Sequence, residues 1–160
     1  MNKFFVIFVL FAVSTVYSSE DYYSSDKLSG FKNCPGNYSV KFTSFSYSPS
    51  PIVKEGMLSM DISGETEVAI GEGASIIGTA YYNGYPINSY PEDFCEGWVR
   101  KSGSECPILP GKFSCGTTIF VYHGQVKNVV LSFDMTIIIV NNDSEVEACM
   151  EGVVSAIQYD

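Results

Sequence analysis

The chain has 160 residues, with 9 Lys and Arg against 18 Asp and Glu and a net charge of −9. So acidic a surface repels nucleic acid and the anionic faces of membranes, which excludes nucleic acid as a predicted partner. With 46% hydrophobic residues, the chain is long and apolar enough for one core-bearing domain and too apolar to be disordered.

Residues 1–19 read as a signal peptide. Lys3 supplies the positive start, Phe4 to Val16 a mostly apolar run, and Val16-Tyr17-Ser18-Ser19 a small-residue cleavage site. At roughly 13 residues the run is too short to span hydrocarbon as a helix. Its removal takes only Lys3 from the charge balance, leaving −10 where the whole chain has −9. The mature protein is expected to be soluble, either secreted or held in the endolysosomal lumen. Residues 20–33 are polar, rich in Ser and Tyr, and expected to form a lead-in to a single domain over residues 34–160.

From Cys34 onward the pattern is β-like. Val40, Phe42, Phe45 and Tyr47 belong to a strand that Ser48-Pro49-Ser50-Pro51 stops. Leu58, Met60 and Ile62 alternate with Ser59, Asp61 and Ser63, as in a half-buried strand. Ser63-Gly64-Glu65 is expected to turn this strand into another, carrying Thr66, Val68 and Ile70. Gly71-Glu72-Gly73 is a second turn, followed by Ala74 to Tyr82, apolar on both faces around Gly78. Asn83-Gly84 is a tight-turn pair leading into Tyr85 to Pro91.

Beyond a short loop from Cys95 to Cys106, Phe113, Cys115, Thr117, Ile119 and Val121 share one face of a strand that Gly124 breaks. Val129 to Val140 forms a long strand, Asn141-Asn142-Asp143 a turn, and Val146 to Ile157 the last strand. Helical periodicity is nowhere sustained over ten residues, so the predicted class is an all-β sandwich.

Catalytic signatures are weak. His123, the one histidine, sits in a Tyr-His-Gly turn, and no Gly-x-Ser-x-Gly elbow is present. Glu65/Glu67 and Glu145/Glu147 pair carboxylates on strand faces, a pattern that solvated edges commonly show. Cys95, Cys106, Cys115 and His123 lack the spacing of a zinc module. Asn141, Asp143, Glu145 and Glu147 lack the glycine of a calcium loop. No enzyme activity, metal or cofactor is predicted.

Five cysteines in an exported chain imply disulfides with one thiol left over, and the spacing leaves the pairing open. Asn37-Tyr-Ser and Asn142-Asp-Ser are N-glycosylation sequons, which would put Asn37 and Asn142 on the surface. Large apolar residues, among them Leu58, Met60, Ile62, Phe113, Ile119, Phe133 and Met135, recur on one face of several strands. Such faces make either a solid core between two sheets or an apolar slot.

The order of motifs favours the slot. Cys34-Pro-Gly-Asn-Tyr, the Ser48-Pro49-Ser50-Pro51 break before Gly56-Met-Leu-Ser-Met, Gly73-Ala74 before a strand, Cys106-Pro-Ile-Leu-Pro-Gly111 and Cys149 occur in sequence. Together they resemble the ML lipid-recognition domain family, which includes the Niemann-Pick type C sterol carrier and phosphatidylglycerol/phosphatidylinositol transfer proteins. The resemblance spans about Cys34 to Ile157. It implies an immunoglobulin-like two-sheet sandwich with a lipid slot between the sheets, and bridges Cys34–Cys149 and Cys95–Cys106. Cys115 is extra to the pattern and expected to be a buried free thiol, with a Cys106–Cys115 bridge as the main alternative.

The resemblance further implies a monomeric carrier of a single phospholipid or sterol, touching membranes transiently. Its slot is expected to be lined by Leu58, Met60, Ile62, Phe113, Ile119, Phe133 and Met135. Tyr85, Ile87 and Trp98 are expected at the mouth. The alternative function is a secreted ligand or co-receptor for a cell-surface receptor, with lipid as a cofactor of recognition.

Overall fold

The computed structural model describes residues 27–121 and 130–157. They form β1 (Lys32–Asn33), β2 (Val40–Ser48), β3 (Ile52–Val53), β4 (Met57–Thr66), β5 (Ser75–Tyr82), β6 (Tyr85–Asp93), β7 (Gly111–Phe120), β8 (Val130–Val140) and β9 (Val146–Ile157), with one π-helical turn, Cys95–Val99. The larger sheet runs β1-β9-β8-β5-β6, with β3 added parallel to β9; the smaller runs β2-β4-β7. Facing each other, they make the immunoglobulin-like sandwich that the alternation of the strands predicts. No helix among the described residues is long and apolar enough to cross a membrane.

The inner faces follow from sequence parity, because successive strand residues point to opposite sides. On the small sheet Leu58, Met60 and Ile62 of β4 stand opposite Ile119, Thr117 and Cys115 of β7. On the large sheet Ile76 pairs with Ile139, Gly78 with Ile137 and Ala80 with Met135. Behind them lie Ala148, Met150 and Gly152 of β9. The tightest packing contains Ile62, Ile70, Phe94, Ile139 and Met150, all fully buried.

One side of the sandwich is sealed. Asn33, on the large sheet, donates its amide to the Phe42 carbonyl at 2.9 Å and accepts the Phe42 N–H at 3.0 Å, so one side chain joins both sheets. Nearby, Phe31 packs edge-on against Phe45 with ring centroids 4.7 Å apart. Its ring occupies the room left by Gly152, where a Cβ would come within 2.6 Å of it. The Lys27 carbonyl accepts the Phe45 N–H at 2.7 Å. The polar lead-in therefore contributes its last residues to the fold: Phe31 is core and Lys32–Asn33 a strand. Residues 1–19, Gly124 and His123 lie outside the described residues.

Two turn expectations are corrected. Ser63-Gly64-Glu65 is not a turn, since β4 continues through it to Thr66 with alternating burial intact. The glycine serves packing instead. A Cβ on Gly64 would lie 2.7 Å from the Phe113 ring and 2.7 Å from the Lys41 carbonyl. The chain turns later, where the Thr66 hydroxyl donates to the Val68 carbonyl at 2.6 Å and accepts the Val68 N–H at 3.2 Å. Accordingly Thr66, Val68 and Ile70 form no separate strand, and Ile70 makes a single bridge to Ile108. Asn83-Gly84 does turn, with φ of 51° and 79° at its two residues, the left-handed pair that tight hairpins require.

Gly64→Ala is expected to lower stability by about 1–3 kcal/mol, because backbone on one side and a packed ring on the other leave no room for a methyl group. Urea unfolding checks this. A midpoint equal to that of the unsubstituted protein would mean that the Phe113 ring yields freely.

Candidate functional site

Opposite the sealed side, the sheets leave an apolar space between them. Small residues create it: Gly78 and Ala80 of β5 withhold bulk where their neighbours on β4, β7 and β8 supply long side chains. The inner chamber is a small cavity of about 80 Å³ lined by Leu58, Met60, Ile76, Trp98, Ile119 and Ile137, among others. It continues into an outer chamber of about 470 Å³, open to solvent, whose wall includes Ile52, Ile87, Phe120, Phe133 and Ala156. Leu58, Gly78, Tyr90, Ile119 and Met135 line both, so the two form one slot. Exposed Ile87, Tyr90 and Phe120 flank its outer part, and Lys54 and Asn88 bring polar groups there.

Most of the residues expected from the sequence meet here. Leu58, Met60, Ile119, Phe133 and Met135 line the walls, and Ile87 stands at the mouth. Three do not. Ile62 has no exposure and packs in the solid part of the core beside Phe45 and Cys115. Phe113 faces Phe94 edge-on at 6.4 Å over the Gly64 seat. Tyr85, 76% exposed at the β5–β6 hairpin, is outside the slot lining.

Trp98 reaches the slot at an unexpected place. It is only 4% exposed and belongs to the inner chamber, not to the mouth. The reason is the π-helical turn, which folds the Cys95–Cys106 segment inward. Arg100 holds that turn in place by pairing with Glu96 on it and with Glu72 of the neighbouring Gly71–Gly73 turn. The sequence also left Tyr90 and Glu92 unremarked. No local signal marks them, since Tyr85 to Asp93 shows no apolar–polar alternation.

Both bridges are formed, Cys34–Cys149 and Cys95–Cys106. Among the described residues, the one cluster with metal-ligand spacing is Glu72 with Cys95 and Cys106, and both of its sulfurs are consumed in the bridge. Cys115 is free and buried on the inner face of β7. Burial, and after it the nearby Asp61 carboxylate, push its thiol up to about 12. It is a packed apolar group and no nucleophile. Asn37 and Asn142 are exposed, and the Asn142 amide donates to the Glu72 carbonyl at 2.8 Å.

The ML domain profile matches residues 29–156. The fold is similar to that of a Niemann-Pick type C2 protein from the Japanese carpenter ant, with a TM-score of 0.63 and 18% identity over 79% of this chain and 98% of that one. Chicken MD-1, in a complex with lipid IVa, aligns at a TM-score of 0.51 and 17% identity over 78% of this chain and 86% of that one. The C-terminal domain of wzt aligns at 0.52 with 8% identity, over 81% and 78% of the two chains. No curated protein matches in sequence.

The Cys115 thiol should not react with a disulfide reagent in the folded protein at pH 8, and one thiol per chain should appear on denaturation. Its pKa is raised on folding, so the folded form holds the proton more tightly. Its contribution to stability is therefore complete below the ordinary value of 9.0 and lost as pH rises toward about 12. Stoichiometric labelling of the native state would contradict its burial.

Proposed function

Because the chain belongs to the ML domain family, we infer that it is a lipid carrier without catalytic activity: it takes one lipid from a membrane into the slot and releases it at another. The observation that supports this best is the slot itself, two joined apolar chambers between the sheets. Its lining, mostly apolar with a few polar groups, suits the hydrocarbon part of a ligand. Burial drives uptake: at about 0.8 kcal/mol per CH₂, a 16-carbon chain gains on the order of 10 kcal/mol before the opposing costs of association.

The polar end of the lipid stays at the mouth. Lys54 and Asn88 there favour a phosphate-bearing head group over a lone sterol hydroxyl, so a phospholipid such as phosphatidylglycerol or phosphatidylinositol is the preferred cargo and a sterol the second choice. That chicken MD-1 binds lipid IVa is consistent with a slot of this fold holding acylated lipid. Two disulfides fit an oxidising compartment, so residues 1–19 act as a signal peptide in this reading and the protein works in the secretory or endolysosomal lumen. The carrier acts as a monomer, touches membranes transiently, and has Asn37 and Asn142 available for glycosylation.

Native mass spectrometry of protein from a secretory host, followed by organic extraction, tests the carrier. The expected result is a one-to-one adduct identified as a phospholipid. Ala80→Phe, which fills the slot from β5, should reduce that adduct at least about tenfold while leaving the unfolding midpoint nearly unchanged. An adduct-free mass that persists after incubation with mixed lipid vesicles would overturn the carrier in favour of a solid core or a receptor ligand.

A further inference from the structure

The end of the slot lined by Trp98 and Glu92 is crossed by a polar strap. Glu92 lies on β6, the edge strand of the large sheet, and Thr117 on β7, an edge strand of the small one. The Lys101 ammonium reaches both, donating to Glu92 Oε1 at 3.0 Å and to Thr117 Oγ1 at 3.4 Å. One cation thus ties the two sheets together at the inner end.

The indole of Trp98 is fixed by the same carboxylate. Its Nε1–H donates to Glu92 Oε2 at 3.0 Å, so both oxygens of Glu92 are engaged. The Glu92 side chain is only 17% exposed. Gly97 makes room for it, since a Cβ there would come within 2.4 Å of the carboxyl group. Swinging the indole aside would leave an N–H and a largely buried carboxylate oxygen unpaired, a costly state. The turn carrying the ring is itself anchored by the Cys95–Cys106 bridge and by Arg100. By contrast Met60 and Met135, in the side walls, are flexible and adapt readily.

We propose that Trp98 is the end stop of the slot and sets the longest hydrocarbon chain the protein carries, with Glu92 as the residue that positions it. The slot is then adaptable in width and fixed in length. This rests on the lipid-carrier reading and deepens it: the favoured cargo has an acyl chain that enters past Ile87 and Phe120, runs between β4, β5 and β8, and ends against the indole.

The test is competitive native mass spectrometry with an equimolar series of saturated 1-acyl lysophosphatidylcholines, from dodecanoyl to docosanoyl. The unsubstituted protein should show a cutoff in acyl length. Trp98→Ala should move the cutoff longer by about two to four carbons, the room an indole vacates. Trp98→Phe keeps an aromatic ring but loses the bond to Glu92, so it should move the cutoff less; it also serves if the alanine variant fails to fold. Val153→Ala, at an exposed position of β9 outside the slot lining, should leave the cutoff in place. An unchanged cutoff in both Trp98 variants overturns the end stop and leaves the carrier standing. No adduct with any chain in the unsubstituted protein overturns the carrier and the end stop together.

Discussion

A three-stranded sheet cannot cover the inner face of a six-stranded one. That mismatch in width is the constraint from which the site follows. Where β2 faces β9 the sheets are drawn together by Asn33 bonding across to Phe42 and by Phe31 filling the room above Gly152. A solid core forms there. Toward β5 and β6 the small sheet runs out, and the large sheet presents Gly78 and Ala80 instead of bulk. A sandwich ordinarily interdigitates its facing side chains across about 10 Å. Here the pattern is kept on one side and withheld on the other, and the withheld part is the slot.

The inner end would remain open if β6 and β7 simply diverged. The polar strap of Glu92, Lys101 and Thr117 crosses it, and each charged group in the strap has a partner. A largely buried carboxylate is tolerable only when it is paired and hydrogen-bonded, which the ammonium and the indole N–H together achieve. The Cys95–Cys106 segment therefore does more than staple a loop. By coiling into a π-helical turn it converts the tryptophan from a surface residue into a wall of the chamber.

Much of this was legible along the chain. Alternating apolar residues predicted β2 and β7 closely, because a strand with one wet face has to alternate. Wall residues such as Leu58, Met60 and Met135 could be picked out by parity. Ile62 and Phe113 share that parity and yet belong to the solid core. Parity assigns a residue to a face and says nothing about what stands opposite. Gly64 misled for a related reason: a glycine that makes a turn and one that seats a ring look alike in one dimension.

The sequence by itself determined the fold class, the inward residues of each strand and an excess of large apolar side chains, since these depend on local periodicity and composition. The motif order added the disulfide frame. Only the tertiary structure decided which inward residues face empty space and which face one another, and that Trp98 lies at the inner end. Those outcomes depend on the relative widths of two sheets and on a carboxylate, an ammonium and an indole from separate stretches of chain meeting at one point. No spacing within a single strand encodes such a meeting.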